Sequence, residues 1–169
     1  WTTLIDTFPD APTARTALLA RADARQRGGD FRDGLADTRA FLAREPKGGN
    51  DDTADALLVE GLCQAGLQDY AAAITALRTR LDRHPDAPRT DRALFELGAA
   101  ETLAGRSADA TKTFATLLRR FPGSPHAGDA AFELGEAAWN TGDFAAAAAH
   151  YDRAIKAADA ALALPPLTI

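Results

Sequence analysis

The sequence predicts an all-α solenoid in which antiparallel helix pairs stack in one array, about four of them behind a partial N-terminal unit. Three observations predict it. A five-residue punctuation recurs, as FPDAP at 8–12, HPDAP at 84–88 and FPGSP at 121–125. The first prolines of these motifs, together with that of a variant connector, are Pro9, Pro46, Pro85 and Pro122, with gaps of 37, 39 and 37 residues. Whole segments then overlay at the same shifts. GDAAFELGEAAWNTGDFAAAAAHYDRAI (128–155) lies over DRALFELGAAETLAGRSADATKTFATLL (91–118), and that over ADALLVEGLCQAGLQDYAAAITALRTRL (54–81). A further shift of 39 brings ALLVEGLCQAGLQDY (56–70) onto ALLARADARQRGGDF (17–31). A period of this length marks stacked supersecondary units that bury their apolar faces only against one another.

This ruler divides the chain into the end of a truncated repeat at 1–12, repeats at 13–49, 50–87, 88–124 and 125–163, and a tail at 164–169. The chain contains no Met and opens on Trp1 within what reads as the end of a helix, so it is expected to belong to something longer. The truncated unit carries Leu4, Ile5 and Phe8, an apolar surface for self-association through the open end of the array. Between the first and second units the connector Glu45–Asp52 is longer, polar and glycine-rich, and it is expected to be a flexible joint. The unit at 54–86 places Glu60 and Arg80 where its neighbours carry small or apolar residues, which predicts looser packing there.

Within each unit the pattern reads as two helices. In the last, Ala131, Leu134 and Ala138 recur at helical spacing. Thr141-Gly142-Asp143 interrupts, and Phe144, Ala147, Tyr151 and Ile155 resume the period. Gly142 supplies a left-handed residue after the first helix and Asp143 a cap for the second. Gly105 and Ser107 are expected to do the same in the unit before. Pro122 stops the preceding helix, and Ser124-Pro125 is expected to start the next. Small residues form columns, Ala22, Gly61, Gly98 and Gly135 in one and Ala24, Cys63, Ala100 and Ala137 in another, where two helices can approach closely. Phe31, Tyr70 and Phe144 are expected to fill the space beside Leu77, Phe114 and Tyr151. Asp159 replaces the proline that closes other units, so the last helix is expected to run on to about Ala163.

At these residues the chain resembles tetratricopeptide repeat (TPR) proteins. Their L-G-x2-A/Y … G-D-F/Y-x2-A-x3-Y/F-x2-A pattern appears as Leu134, Gly135, Ala138, Gly142, Asp143, Phe144, Ala147, Tyr151 and Ala154. The preceding unit supplies Leu97, Gly98, Gly105, Ala110, Phe114 and Pro122. The FPxSP-type connector is similar to that of bacterial cell-envelope members, namely the lipoprotein of the outer-membrane β-barrel assembly machinery and the periplasmic partner of the Tol–Pal system. The resemblance implies a right-handed superhelix whose first helices line a concave groove for a peptide or partner helix. Carried over by position, that groove holds Asp129, Phe132, Glu136, Trp139 and Asn140. The repeat before adds Arg92, Phe95, Ala99, Thr102 and Leu103, and the one before that Leu58 and Leu62. Phe132, Glu136, Trp139 and Asn140 lie at i, i+4, i+7 and i+8, on one helical face distinct from that of Leu134 and Ala138. The competing reading packs Phe95 and Phe132 on the following hairpin and has Trp139 cap the array.

Composition agrees with a binding role and offers no chemistry. With 46% hydrophobic residues and a net charge of −5 the chain is globular, without the basic stripe of a nucleic-acid binder. No apolar run is long enough to cross a membrane. Cys63, the single cysteine, shares its column with three alanines and is expected to be a buried small hydrophobe rather than a reactive thiol. His84, His126 and His150 stand apart from one another, so no metal site is expected. No nucleophile motif or phosphate-binding loop is present. The early arginines Arg15, Arg21, Arg25, Arg27 and Arg32 read as a solvated face among interleaved acids, with an acidic partner as the alternative. The sequence therefore predicts a scaffold and no enzyme, with no cofactor, no catalytic residue, no nucleic acid and a protein or peptide partner. The alternative is a helical regulatory or substrate-positioning segment of a larger envelope enzyme.

Overall fold

The computed structural model of the chain describes residues 12–44 and 51–162. Among these, every regular element is a helix: α1 (Pro12–Gly28), α2 (Phe31–Leu42), α3 (Asp51–Gly66), α4 (Tyr70–Arg83), α5 (Thr90–Leu103), α6 (Ser107–Arg120), α7 (Ala127–Asn140) and α8 (Phe144–Leu162). They pair as hairpins α1–α2, α3–α4, α5–α6 and α7–α8. Each helix packs on its neighbours in the chain, and α1 also reaches α3 and α3 reaches α5. This is the predicted all-α solenoid. The truncated unit with Leu4, Ile5 and Phe8, the connector around Pro46 and the tail with Pro165 lie outside the described residues.

Four equivalent turns make the hairpins. Gly29, Gln68, Gly105 and Gly142 hold the left-handed conformation, with φ of 85°, 63°, 73° and 81°. Only Gln68 carries a side chain there, at a steric cost that glycine avoids. Gln68→Gly is therefore expected to raise stability by about 0.5–1 kcal/mol, measurable as a higher urea midpoint at unchanged m-value. Asp69 and Asp143 cap the second helices by accepting from the N–H groups of Ala72 (3.1 Å) and Ala146 (3.0 Å). Ser107 does not cap. It is itself the first residue of α6, and Arg106 takes the capping position without a side-chain bond. Nor does a helix start at Ser124-Pro125. Its hydroxyl accepts from the His126 N–H (3.1 Å) and donates to Asp91 (2.7 Å), so α7 begins only at Ala127.

The glycine column explains the close approach inside each hairpin. A Cβ at Gly61, Gly98 or Gly135 would lie 2.6, 2.6 or 2.5 Å from the side chain of Leu77, Phe114 or Tyr151, each sixteen residues further on. In the first hairpin the partner position holds Thr38, a smaller residue, and the column holds Ala22. Bulk on the second helix is matched by absence on the first. The second column is less regular, because Cys63 and Ala100 are buried while Ala24, at the start of the array, is exposed. Burial pushes the Cys63 thiol up to about 11, consistent with an unreactive core residue.

Four buried clusters form a continuous seam. Leu58, Leu62, Leu77, Ala93 and Leu97 join α3–α4 to α5. Phe114, Leu117, Leu118, Ala127, Ala130 and Ala131 join α6 to α7. Leu58 and Leu62 are core residues, not groove residues, because the following hairpin covers them.

Polar groups bind the stack as well. The fully buried Arg80 donates to Thr90 Oγ1 (2.9 Å) and to the Pro88 carbonyl (2.5 Å), fastening the connector to the end of α4. Looser packing at 54–86 is thus not what is observed: Arg80 ties the joint, and Glu60 faces Arg39 at 3.8 Å. Buried Glu101 accepts from Arg78 (2.6 Å) and Thr113 (2.7 Å), joining α4, α5 and α6. The arginine-rich start is neutralised internally. Arg21 and Arg25 both grip the buried Asp37, and Arg27 pairs with Asp23. No helix among the described residues is long and apolar enough to cross a membrane.

Candidate functional site

The first helices α5 and α7 carry the predicted groove residues, and the structure divides them into smaller sets. Thr102, Glu136 and Asn140 come together in a cleft of about 480 Å³ between the third and fourth hairpins. Its floor is apolar, with Phe114, Ala110 and Ala137, and Ser107, Thr111 and Thr141 stand at its edge. Its origin is legible in the repeat. Phe31 occupies the start of α2 and packs on α3, where a Cβ at Gly66 would touch its ring at 2.6 Å. The equivalent position in the third hairpin is Ser107, opposite Asn140. A small polar residue stands where an aromatic ring fills the first joint, and the cleft opens there.

Trp139 is 56% exposed and packs edge-on against Phe144 at 5.0 Å between ring centroids. Phe144 is itself exposed, so it does not fill the space beside Tyr151 as expected. Its counterpart Phe31 is half-buried because a following hairpin lies over it. Phe132 and Asp129 line a separate cleft at the end of the array, and Phe132 tilts against Tyr151 at 5.8 Å. Phe95 stacks on His126 at 5.0 Å and 12°, across the boundary to the next hairpin, and also meets Phe114. The competing reading describes its surroundings better than an open groove does. Arg92 bridges to Glu96 one turn along α5.

Electrostatics sets the α7 face apart. Asp129, Glu133 and Glu136 form an acidic strip, and among the described residues no Lys or Arg lies within ion-pair distance of any of them. Glu133 is half-buried, and burial together with the charges of Glu136 and Asp129 pushes its carboxyl pKa up. Glu136 instead accepts from the Tyr151 hydroxyl at 2.6 Å, which raises the tyrosine pKa. The sequence reading placed Asp129 and Glu136 on this face but passed over Glu133. Its signal was present as a third acid within one turn of Glu136.

Sequence comparison decides the family. The tetratricopeptide repeat model matches residues 19–88, 64–125 and 104–163, a run of overlapping units through most of the chain. The chain belongs to the tetratricopeptide repeat family. Comparison with curated proteins finds no match. Among solved structures, this TPR array is similar to a crystal structure of MamA, with TM-score 0.82 and 16% identity over 96% of this chain and 87% of that one. A second MamA structure gives TM-score 0.77 and 17% identity over 99% and 85%. A Rap protein complexed with Competence and Sporulation Factor gives TM-score 0.72 and 17% identity, over 92% of this chain but 45% of Rap. At such identities the likeness is one of fold.

Proposed function

We propose that this TPR array is a non-catalytic interaction scaffold that holds a peptide or partner helix against the exposed face of its first helices. The observation that carries this reading is the cleft between the third and fourth hairpins, where Thr102, Glu136 and Asn140 converge over an apolar floor. Such a floor with a few convergent polar groups suits side-chain recognition. Trp139, beside Asn140 in sequence, is the aromatic anchor, because interface energy concentrates in a few large aromatic side chains. Asp129, Phe132, Arg92 and Phe95 extend the surface along α7 and α5. The unpaired acids Asp129, Glu133 and Glu136 favour a partner segment carrying basic residues. The Rap complex is a precedent for ligand capture by a similar fold. For the compartment, the FPGSP connector is the one pointer, towards the cell envelope; neither MamA nor Rap adds to it.

The reading is tested by pull-down from the native organism, followed by titration of whatever is captured. Trp139→Ala is expected to weaken binding by about 2 kcal/mol, roughly thirtyfold, with an unchanged circular dichroism spectrum. Ser107→Phe is expected to fill the cleft and weaken binding without loss of stability. Full binding by both variants would remove the groove assignment, and unfolding of Trp139→Ala would make the tryptophan a core residue.

A further inference from the structure

The end face of the α7–α8 hairpin repeats surfaces that are covered everywhere else in the array. Ile155 stands 37 residues after Leu118. Leu118 is 5% exposed, clustered with Ala127, Ala130 and Ala131 of the next first helix, whereas Ile155 is 59% exposed. Leu58, Phe95 and Phe132 form a second series at the same spacing. Leu58 is fully buried beneath Ala93 and Leu97 of α5, Phe95 carries the His126 ring, and Phe132 is 49% exposed. In both earlier hairpins the cover comes from the following first helix, and it makes contact largely through alanines.

Between Phe132 and Ile155 lies a cleft of about 900 Å³, walled by Pro122–Pro125, Ala154, Ala157 and Ala158. One repeat earlier, Arg120 and Phe121 occupy the positions of Ala157 and Ala158. There Phe121 packs against the core, and Arg120 reaches the Pro85 carbonyl at 3.0 Å. With both replaced by alanine, the last hairpin has room for a bulky side chain that the repeat itself does not supply.

We propose that this end face docks an amphipathic helix of a partner protein, seated where a following first helix would lie. Its small residues would meet the rows of Phe132 and Ile155, and one large apolar side chain would enter the alanine-lined cleft. A second copy of the chain does not fit this description. The small-residue faces that would serve are already buried in α1, α3, α5 and α7, where Ala14, Ala17, Ala56, Ala93 and Ala130 are at most 1% exposed. The site is separate from the inter-hairpin cleft and stands without it.

The chain supplies its own probe. A fluorescent peptide of residues 124–140, the segment that covers Leu118 and Phe95, is made helical by a side-chain lactam on its exposed face and titrated with the full chain. Saturable binding is expected, weakened about tenfold or more by Ile155→Arg and by Ala158→Trp, and unaltered by Trp139→Ala. All three positions are exposed, and unchanged circular dichroism checks that the variants fold. Absence of saturable binding, or equal binding by the two end-face variants, overturns the proposal. So does a dimer in light scattering that Ile155→Arg abolishes, which would give the face to a second copy. Loss of native-partner capture on Trp139→Ala with intact peptide binding separates this site from the groove.

Discussion

Phe114→Ala is expected to destabilise the array by about 4 kcal/mol, the largest single loss that a side chain here should cause. Phe114 is 2% exposed and belongs to the cluster that joins α6 to α7, so its removal empties the joint between the third and fourth hairpins as well as the interior of the third. Its ring also lies where a Cβ of Gly98 would be, at 2.6 Å. The same contact can be broken from the other side. Gly98→Ala improves helix propensity by about 1 kcal/mol yet is expected to lose about 1–2 kcal/mol net, because the buried ring has no room to retreat. Urea unfolding of both variants checks this. An alanine at 98 that stabilises the protein would show that the glycine column reflects chance and not packing.

The second large effect is expected at Arg80, where Arg80→Ala should cost about 3 kcal/mol. Its neighbours in the repeat, Phe41, Leu117 and Ala154, are apolar, and Arg80 is buried as completely as Phe41 and Leu117. Burial pushes its pKa down, and only the bonds to Thr90 and Pro88 offset that desolvation. Truncation leaves a cavity and a connector carbonyl without its donor, and each contributes to the loss. Arg80→Met separates the two contributions, since it keeps the volume and drops the donors. If the methionine variant is as stable as the wild type, Arg80 is only a filler. If it falls with the alanine variant, the hydrogen bonds hold the HPDAP connector in place.

Much of this was legible from residue order. The four turns were marked by glycine or by the aspartate that follows, and the helical period ran between them. The groove was less so. Phe95 and Phe132 occupy equivalent positions in the repeat, and nothing in their local sequence separates them. What separates them is that His126 lies over one and no following hairpin of the described chain lies over the other. Leu58 and Leu62 failed as groove residues for the same reason. Ser107 and Ser124 misled in another way, because a serine near a helix start resembles a cap, and only the hydrogen-bond partners show whether it is one.

By itself the sequence determined the local grammar: where helices stop, where the chain reverses, which faces are apolar, and that the same unit returns. Those are short-range consequences of backbone conformation and periodicity, written within a few residues. Tertiary structure alone decided which apolar face is covered, how an arginine can sit in a core column, and where a missing ring becomes a cleft. Each depends on side chains about one repeat apart in sequence meeting in space, and burial is a property of the neighbour as much as of the residue.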